Sequence, residues 1–193
     1  MQLEKKKVLV FGSGISGIGA GKLLERKGAD VILYDGNKSL NRKALKEKLG
    51  EESNAEILLG ELQDSVIESL GLCVISPGVP VDLPIVSRIK EKNIPVWSEI
   101  ELAYEVGNGD VLAITGTNGK TTTTALLGEI MKLWKDSVYV VGNIGIPYTS
   151  IAADTTDDSV VVAEISSFQL ETIDAFRPKV SAILNITPDH LDR

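Results

Sequence analysis

The chain has 193 residues, of which 43% are hydrophobic and 24% charged, a balance that is typical of globular proteins. Its length allows one large domain or two small ones. The net charge of −7 argues against general affinity for nucleic acids or acidic membranes, because both require a basic surface. Cys73 is the only cysteine, so no internal disulfide can form, and we expect a buried thiol. We see no signal peptide or membrane span and expect a cytoplasmic protein.

Short apolar runs alternate with helical stretches along the chain. The predicted strands are 8–11, 31–34, 57–59, 73–76, 111–115, 138–141, 160–165 and 180–186. The predicted helices are 16–27, 40–49, 62–70, 83–92, 119–134 and 168–175. Several strands are apolar throughout, as parallel strands covered on both faces are. The repeated strand–helix–strand order predicts a doubly wound α/β fold with parallel sheets.

A flexible polar linker divides this pattern into two units. The order starts afresh after residues 107–110, which read G-N-G-D, and each half opens with its own glycine-rich turn. We therefore predict one domain at 1–107 and a second at 108–193. The chain stops at polar residues directly after an apolar strand, so we expect the second domain to be incomplete at its C-terminal end.

The first glycine turn, G-S-G-I-S-G at 12–17, follows a predicted strand and opens a helix. Gly12 permits the tight turn, Gly14 lets the backbone approach a pyrophosphate, and Gly17 allows close helix packing. Asp35 ends the next strand, where a carboxylate can accept hydrogen bonds from a ribose or a base. This pattern predicts a Rossmann-like domain for a ligand that carries a diphosphate, and NAD is the first ligand it suggests.

The second glycine turn, T-G-T-N-G-K-T-T at 115–122, also lies between a predicted strand and a helix. Its backbone N–H groups can cradle phosphate oxygens, Lys120 can reach the β- and γ-phosphates of ATP, and Thr121 offers a hydroxyl to Mg²⁺. The strict Walker pattern requires glycine at position 114, which is isoleucine, and Gly116 follows two residues later. We predict a P-loop NTPase-like domain. The predicted ATP-binding residues are Gly116, Thr117, Asn118, Gly119, Lys120, Thr121 and Thr122.

Polar residues follow several strands, at the edge of the sheet where ligands of α/β proteins bind. Glu164 lies within an apolar run, and a carboxylate there is costly to bury without a Mg²⁺ ion or a lysine beside it. His190, the only histidine, follows the last strand beside Asp189 and is a candidate ligand or metal residue. Asn143 lies in a turn after another strand, where a purely structural role is the alternative.

Four motifs together make the chain resemble the Mur ligases over its whole length. They are T-G-T-N-G-K-T-T at 115–122, G-N-I-G at 142–145, E-I-S-S-F-Q-L-E at 164–171 and N-I-T-P-D-H-L-D-R at 185–193. The resemblance implies three domains, which bind a UDP-linked substrate, ATP and an amino acid. This chain resembles the first domain and most of the second.

The resemblance implies an ATP-dependent ligase of peptidoglycan precursor synthesis. The S-S-F-Q-L-E form at 166–171 is similar to that of the branch that adds D-glutamate to UDP-N-acetylmuramoyl-L-alanine. ATP would phosphorylate the substrate carboxylate, and the amine of D-glutamate would displace phosphate from the acyl phosphate. The family has further catalytic residues downstream, so we expect this chain to be inactive alone. We also expect a monomer that has no nucleic-acid or membrane partner.

The resemblance also assigns roles to individual residues. The implied catalytic residues are Lys120, Asn143, Glu164 and His190. The implied Mg²⁺ ligands are Thr121, Glu164 and His190. The implied substrate-binding residues are Gly14, Ile15, Ser16, Asp35, Ser76, Asn143, Ser166, Gln169 and His190.

Three alternatives remain at this point. The first glycine turn and Asp35 are compatible with an NAD-dependent oxidoreductase. A nucleotide-sensing module without catalysis would need the same ATP loop. A sister ligase that adds another amino acid would differ mostly in residues outside this chain.

Overall fold

The computed structural model describes residues 2–142 and 145–189 and contains two parallel sheets, one after the other along the chain. Each sheet is built from strands joined through helices or short turns, so the predicted α/β class with parallel sheets is confirmed. Within the described residues, no helix is long and apolar enough to cross a membrane.

The first sheet has the strand order β3-β2-β1-β4-β5. Its strands are β1 (Lys7–Phe11), β2 (Asp30–Asp35), β3 (Glu56–Leu59), β4 (Leu72–Ile75) and β5 (Val96–Ser98). Its helices are α1 (Ile15–Arg26), α2 (Arg42–Leu49), α3 (Asp64–Glu68), α4 (Pro84–Glu91) and α5 (Glu99–Val106). The chain reverses its direction across the sheet between β1 and β4, and ligands of such folds bind at the carboxyl ends of strands at this point.

The second sheet has the strand order β7-β8-β6-β9. Its strands are β6 (Asp110–Thr115), β7 (Val138–Gly142), β8 (Val160–Glu164) and β9 (Val180–Ile183). Its helices are α6 (Lys120–Lys132) and α7 (Ser167–Leu170), and short 3-10 turns form at Tyr148–Ser150 and Ala152–Asp154. Strand β6 lies between β8 and β9, so the loop that joins β6 to α6 opens near the centre of the sheet's carboxyl edge.

One strand in each sheet, β4 and β8, is buried on both faces. In β4 and β8 every residue is buried, which explains why their sequences are apolar runs without alternation. Cys73 lies in β4 with 0% exposure, as expected, and burial raises the pKa of its thiol to about 12. The thiol is therefore neutral and unreactive at physiological pH.

The structure differs most from the sequence expectations in four elements. The short strand β5 and the helix α5 were not predicted, the helix expected at 168–175 ends at Leu170, and the strand expected to reach 186 ends at Ile183. Residues 174–176 leave the helix because their backbone N–H groups bind a carboxylate of α5 instead of helical carbonyls. A tertiary contact thus overrides the local helical pattern.

That carboxylate belongs to Glu101, which is 0% exposed at the interface between the two sheets. It accepts hydrogen bonds from the backbone N–H groups of Asp174 at 2.8 Å, Ala175 at 2.7 Å and Phe176 at 2.9 Å. Hydrogen bonds to an ionised acceptor are about twice as strong as neutral ones. Three of them offset the cost of burying the charge and fix α5 against the second sheet.

Further contacts join the two units along this interface. The Ser98 N–H donates to the Thr172 carbonyl at 2.9 Å, and the Arg26 guanidinium pairs with Asp154 at 2.7 Å. At Gly19, an added Cβ would lie 2.6 Å from the Thr149 hydroxyl, so α1 approaches the second unit closely. The division predicted between residues 107 and 108 falls in the turn between α5 and β6 and stays a prediction.

The glycine at position 17 is required by space rather than by backbone conformation. A Cβ there would lie 1.8 Å from the Gly12 carbonyl oxygen, whereas a Cβ on Gly14 would meet nothing within 4 Å. We predict that Gly17→Ala lowers the free energy of unfolding by about 3 kcal/mol or more, because the backbone itself must move. Urea-induced unfolding of the chain measures this.

Gly14→Ala is the matched control, in the same turn with φ −71°. It should change the free energy of unfolding by less than about 1 kcal/mol. Equal losses for the two variants would contradict the steric explanation.

Candidate functional site

The loop between β6 and α6 has the conformation of an anion-binding turn. Gly116 and Gly119 adopt φ values of 137° and 83°, in the region that favours glycine, and Gly119 precedes the first residue of α6. A Cβ on Gly116 would lie 3.0 Å from the Asn185 carbonyl oxygen, so this position also lacks room for a side chain. The first turn of α6 directs unpaired N–H groups and the positive end of the helix dipole toward the loop.

Residues 185–187, which follow β9, hydrogen-bond to the loop at 115–122. The Asn185 amide accepts from the Asn118 N–H at 2.8 Å and donates to the Asn118 carbonyl at 2.8 Å. Thr117 exchanges hydrogen bonds with the Thr187 backbone at 3.1 and 3.0 Å. Sequence reasoning quoted Asn185 and Thr187 within a motif but gave them no role. Because the Asn185 amide occupies the Asn118 N–H, donors for an anion come mainly from residues 119–122.

The Lys120 ammonium lies across the loop. It donates to the carbonyls of Gly116 at 2.7 Å and Thr117 at 3.1 Å. An ammonium has three donors, so one remains for an anion above the loop. The residues at the crest of the loop, Asn118, Gly119, Thr121 and Thr122, are exposed.

Glu164 is the last residue of β8 and is only 3% exposed. Its neighbours across the sheet are Ile114 of β6 and Gly142 of β7. A carboxylate at a strand end beside the loop, together with the Thr121 hydroxyl, is a donor set that suits Mg²⁺, which is commonly held by one or two carboxylates and substrate phosphates. In the described part of the chain, no three His, Cys, Asp or Glu residues form a preassembled metal cluster.

The glycine turn of the first sheet is held by Asp35. Its carboxylate accepts from the Ser13 hydroxyl at 2.6 Å, the Ser13 N–H at 3.1 Å and the Asn37 N–H at 3.0 Å. Burial would raise the pKa of Asp35, but the hydrogen bonds from Ser13 and Asn37 outweigh it and lower the pKa. A carboxylate has about four acceptor positions, so about one remains for a ligand.

The other predicted substrate residues near this turn are accessible to different degrees. Ile15 is 77% exposed at the start of α1, and Ser16 beside it is half-buried. Ser76 follows β4, and its hydroxyl donates to the Gly12 carbonyl at 3.3 Å. Gly14 and Ile15 line a cavity of about 310 Å³ that Pro147 and Ser150 of the second unit close.

A larger cavity of about 700 Å³ lies where the carboxyl edges of the two sheets meet. Pro77 and Gly78, which follow β4, form its wall in the first unit. Its wall in the second unit contains Thr115, Gly116, Thr117, Lys120, Ser166 and Asn185. The loop at 115–122 therefore faces the carboxyl end of the first sheet across this cavity.

Gln169 lies behind this cavity and is only 2% exposed. Its carbonyl oxygen accepts from the Ser166 N–H at 2.7 Å and the Ser166 hydroxyl at 2.9 Å, and its amide nitrogen donates to Glu99 at 2.6 Å. Glu99 is 3% exposed and belongs to α5 of the first unit. Sequence reasoning missed Glu99, because an acidic residue at the start of a helix is usually a solvent-exposed one.

The structure thus assembles much of the predicted ATP site around one loop. Of the predicted substrate residues that it describes, Gly14 and Ile15 line the smaller cavity and Ser166 lines the larger one, whereas Ser16, Asp35, Ser76 and the buried Gln169 line neither. Asn143 and His190 lie outside the described residues. The individual roles of all these residues stay predictions.

The family comparisons agree with the fold and with the loop. Residues 6–98 match the family described as "Mur ligase MurD-like, N-terminal domain". Residues 114–193 match the family described as "Mur ligase middle domain". The chain belongs to the Mur ligase family.

Relatives match the chain over its whole length. It is 58% identical over 193 residues to a UDP-N-acetylmuramoylalanine–D-glutamate ligase of Lachnospira eligens. It is 56% identical to the ligase of the same name in Lachnoclostridium phytofermentans. The chain spans 43% and 42% of the lengths of these two relatives.

Solved structures of other ligases share the fold. One is a UDP-N-acetylmuramate:L-alanyl-gamma-D-glutamyl-meso-diaminopimelate ligase from Neisseria meningitides, with a TM-score of 0.56 and 20% identity over 96% of this chain and 62% of that one. Another is a UDP-N-acetylmuramate-alanine ligase from Thermotoga maritima, with a TM-score of 0.56 and 23% identity over 97% of this chain and 43% of that one. At these identities the likeness concerns the fold alone.

Glu99 generates a prediction about stability and pH. Burial raises the pKa of Glu99 to about 7 from its ordinary value of 4.5, although hydrogen bonds from Gln169 and two backbone N–H groups oppose this. Because the folded pKa is the higher one, stability from Glu99 is complete below pH 4.5 and is lost as the pH rises through about 7. A shift of that size corresponds to about 3 kcal/mol.

We therefore expect Glu99→Gln to gain up to about 3 kcal/mol relative to the unchanged chain between pH 4.5 and pH 8. Urea-induced unfolding of both proteins at these pH values measures the gain. Glu47→Gln, which removes an exposed carboxylate of α2, controls for net charge. A pH-independent difference between the Glu99 variant and the unchanged chain would contradict the assignment.

Proposed function

We propose that the protein containing this chain is an ATP-dependent ligase that joins D-glutamate to UDP-N-acetylmuramoyl-L-alanine during synthesis of peptidoglycan precursors. The observation that carries the proposal is the cavity of about 700 Å³ between the two sheets. The loop at 115–122, which suits a phosphate, lies on one side of this cavity. The carboxyl end of the Rossmann-like first sheet lies on the other side. This arrangement suits transfer of a phosphoryl group to a substrate held by the first domain. The names of the relatives over the full chain support this reaction.

We assign ATP to the loop at 115–122. The N–H groups of the first turn of α6 and the remaining donor of Lys120 suit the β- and γ-phosphates. Thr121 and Glu164 are the proposed Mg²⁺ ligands, together with His190. The ion would neutralise charge on the transferring phosphoryl group.

The proposed chemistry proceeds in two steps. An oxygen of the substrate carboxylate attacks the γ-phosphorus of ATP, which forms an acyl phosphate and releases ADP. The amine of D-glutamate then attacks the acyl carbon, and phosphate leaves as the amide forms. Lys120 would stabilise negative charge as the phosphoryl group transfers.

We assign the UDP-linked substrate to the first domain and the facing wall of the second. Gly14, Ile15 and Ser16 belong to the first glycine turn, Asp35 and Ser76 hydrogen-bond to it, and Ser166 lies in the larger cavity with the loop. Asn143 and His190 are the proposed contacts to the muramoyl-alanine end. A substrate that reached from one cavity to the other would place its carboxylate near the ATP loop.

The activity is proposed for the whole protein, because the chain spans only 43% of the length of its relatives. We expect the 193-residue chain alone to lack ligase activity. ATP and UDP-sugars are cytoplasmic metabolites, which supports a cytoplasmic location. The predicted monomeric state stays a prediction.

Lys120 provides the sharpest test of the ATP loop. In the full-length protein, Lys120→Ala should lower the kcat of D-glutamate-dependent ADP release at least about 100-fold, because a charge that acts on the transferring group is lost. Lys132→Ala is the matched control on the same helix, where Lys132 pairs with Glu129 at 2.6 Å on the surface. Unchanged kcat in the Lys120 variant would refute the assignment.

A titration separates the ligase from an NAD-dependent oxidoreductase. We expect UDP-N-acetylmuramoyl-L-alanine to bind the 193-residue chain and NADH to show no saturable binding, because the relatives that match the whole chain are named as UDP-N-acetylmuramoylalanine–D-glutamate ligases. Isothermal titration calorimetry with each ligand measures this. Saturable NADH binding without a response to the UDP compound would favour the oxidoreductase.

A further inference from the structure

A buried chain of hydrogen bonds connects the first unit to the wall of the larger cavity. It runs from the Glu99 carboxylate to the Gln169 amide at 2.6 Å and from that amide to the Ser166 hydroxyl at 2.9 Å. Glu99 and Gln169 are 3% and 2% exposed, while Ser166 lines the cavity. The chain begins on α5, which carries no residue of the proposed site, and ends at a proposed substrate contact.

The orientation of the Gln169 amide is set by its two neighbours. Ser166 presents two donors, its N–H and its hydroxyl, to the amide oxygen at 2.7 and 2.9 Å. Glu99 presents a carboxylate oxygen to the amide nitrogen. Above about pH 7, where Glu99 is ionised, a flipped amide would place its NH₂ group against two donors and its oxygen against an acceptor. Glu99 and Ser166 together therefore determine which end of the amide faces Ser166.

This orientation determines the hydrogen-bonding character of Ser166. Its hydroxyl donates its only hydrogen to the side-chain oxygen of Gln169, and one of its two lone pairs accepts from the backbone N–H of Gln169 at 3.4 Å. What remains for the cavity is a single acceptor position. A serine that is held in this way accepts from an O–H or N–H group of a ligand and has no hydrogen to donate to a phosphate.

We propose that Glu99 is a positioning residue that, through Gln169, fixes Ser166 as a hydrogen-bond acceptor for a hydroxyl or amide N–H of the sugar-peptide part of the substrate. The proposal rests on the proposed function, since it names the substrate group that Ser166 meets.

Glu101 on the same helix is the matched control. It is as deeply buried and also joins the two units, but its partners are backbone N–H groups of residues 174–176. Loss of Glu101 loosens the interface between the units without altering the Gln169 amide. Its effects on substrate binding should therefore be independent of Ser166.

The experiment is a double-mutant cycle in the full-length protein, with KM for UDP-N-acetylmuramoyl-L-alanine as the readout. We expect Glu99→Ala and Ser166→Ala each to raise this KM about tenfold, as loss of a buried hydrogen bond does, with kcat and the KM for ATP nearly unchanged. In the Ser166→Ala background, Glu99→Ala should add less than about twofold, because both changes remove the same contact. By contrast, any effect of Glu101→Gln on this KM should multiply with the effect of Ser166→Ala.

Two companion variants separate positioning from folding. Glu99→Gln keeps an acceptor for the Gln169 amide nitrogen. Its KM for the UDP substrate should therefore stay within about threefold of the value for the unchanged protein. Glu99→Leu fills the space that alanine leaves and should behave as Glu99→Ala does, so the cycle does not depend on one variant that fails to fold. Thermal unfolding of each variant verifies the fold.

A direct measurement makes the outcome independent of turnover. In ¹H–¹⁵N spectra of the chain, the side-chain NH₂ signals of Gln169 should shift in Glu99→Ala and stay in place in Glu101→Gln. Multiplicative effects of Glu99→Ala and Ser166→Ala, or a Glu99→Gln variant as impaired as Glu99→Ala, would overturn the proposal. An unchanged full-length protein that binds the UDP compound but does not use D-glutamate would refute the proposed reaction instead, and the same cycle run on binding affinity would still decide the role of Glu99.

Discussion

The buried carboxylate of Glu101 is the contact on which the arrangement of the two sheets depends. A charge at 0% exposure costs several kcal/mol unless hydrogen bonds compensate for it. Here three consecutive N–H groups, of residues 174–176, supply that compensation. These residues are available to Glu101 because α7 ends at Leu170 and the chain there turns back toward β9.

The same helix carries the second buried carboxylate, and the two have different consequences. Glu101 bonds to backbone and fixes the position of α5, whereas Glu99 bonds to a side chain that reaches the cavity. At the other end of the interface, Gly19 allows α1 to approach Thr149 closely. The larger cavity takes its walls from both units, so its shape depends on how these contacts hold the units together.

Periodicity and glycine spacing predicted most of the fold but little of this interface. Parallel strands buried on both faces have a clear apolar signature, and both glycine turns lie where the patterns placed them. The strand β5 has only three residues, and α5 contains three glutamates, so neither has a strong local signal. The roles of Glu99, Glu101 and Asn185 arise from partners about 70 residues away in sequence. Gln169 was expected to face a ligand, but its burial depends on a helix that the pattern did not reveal.

The two glycine turns look alike in sequence and differ in electrostatics. The turn at 12–17 is held by the ionised carboxylate of Asp35, which takes up a backbone N–H and places negative charge beside the turn. The turn at 116–119 is spanned by the Lys120 ammonium instead. Both turns lead into helices of similar length, so the dipoles are comparable and the side-chain charges make the difference. A polyphosphate is therefore better stabilised at the second turn. The first turn, where part of the donor capacity is already taken by Asp35, suits a ligand that is recognised more by shape and by hydrogen bonds than by charge alone.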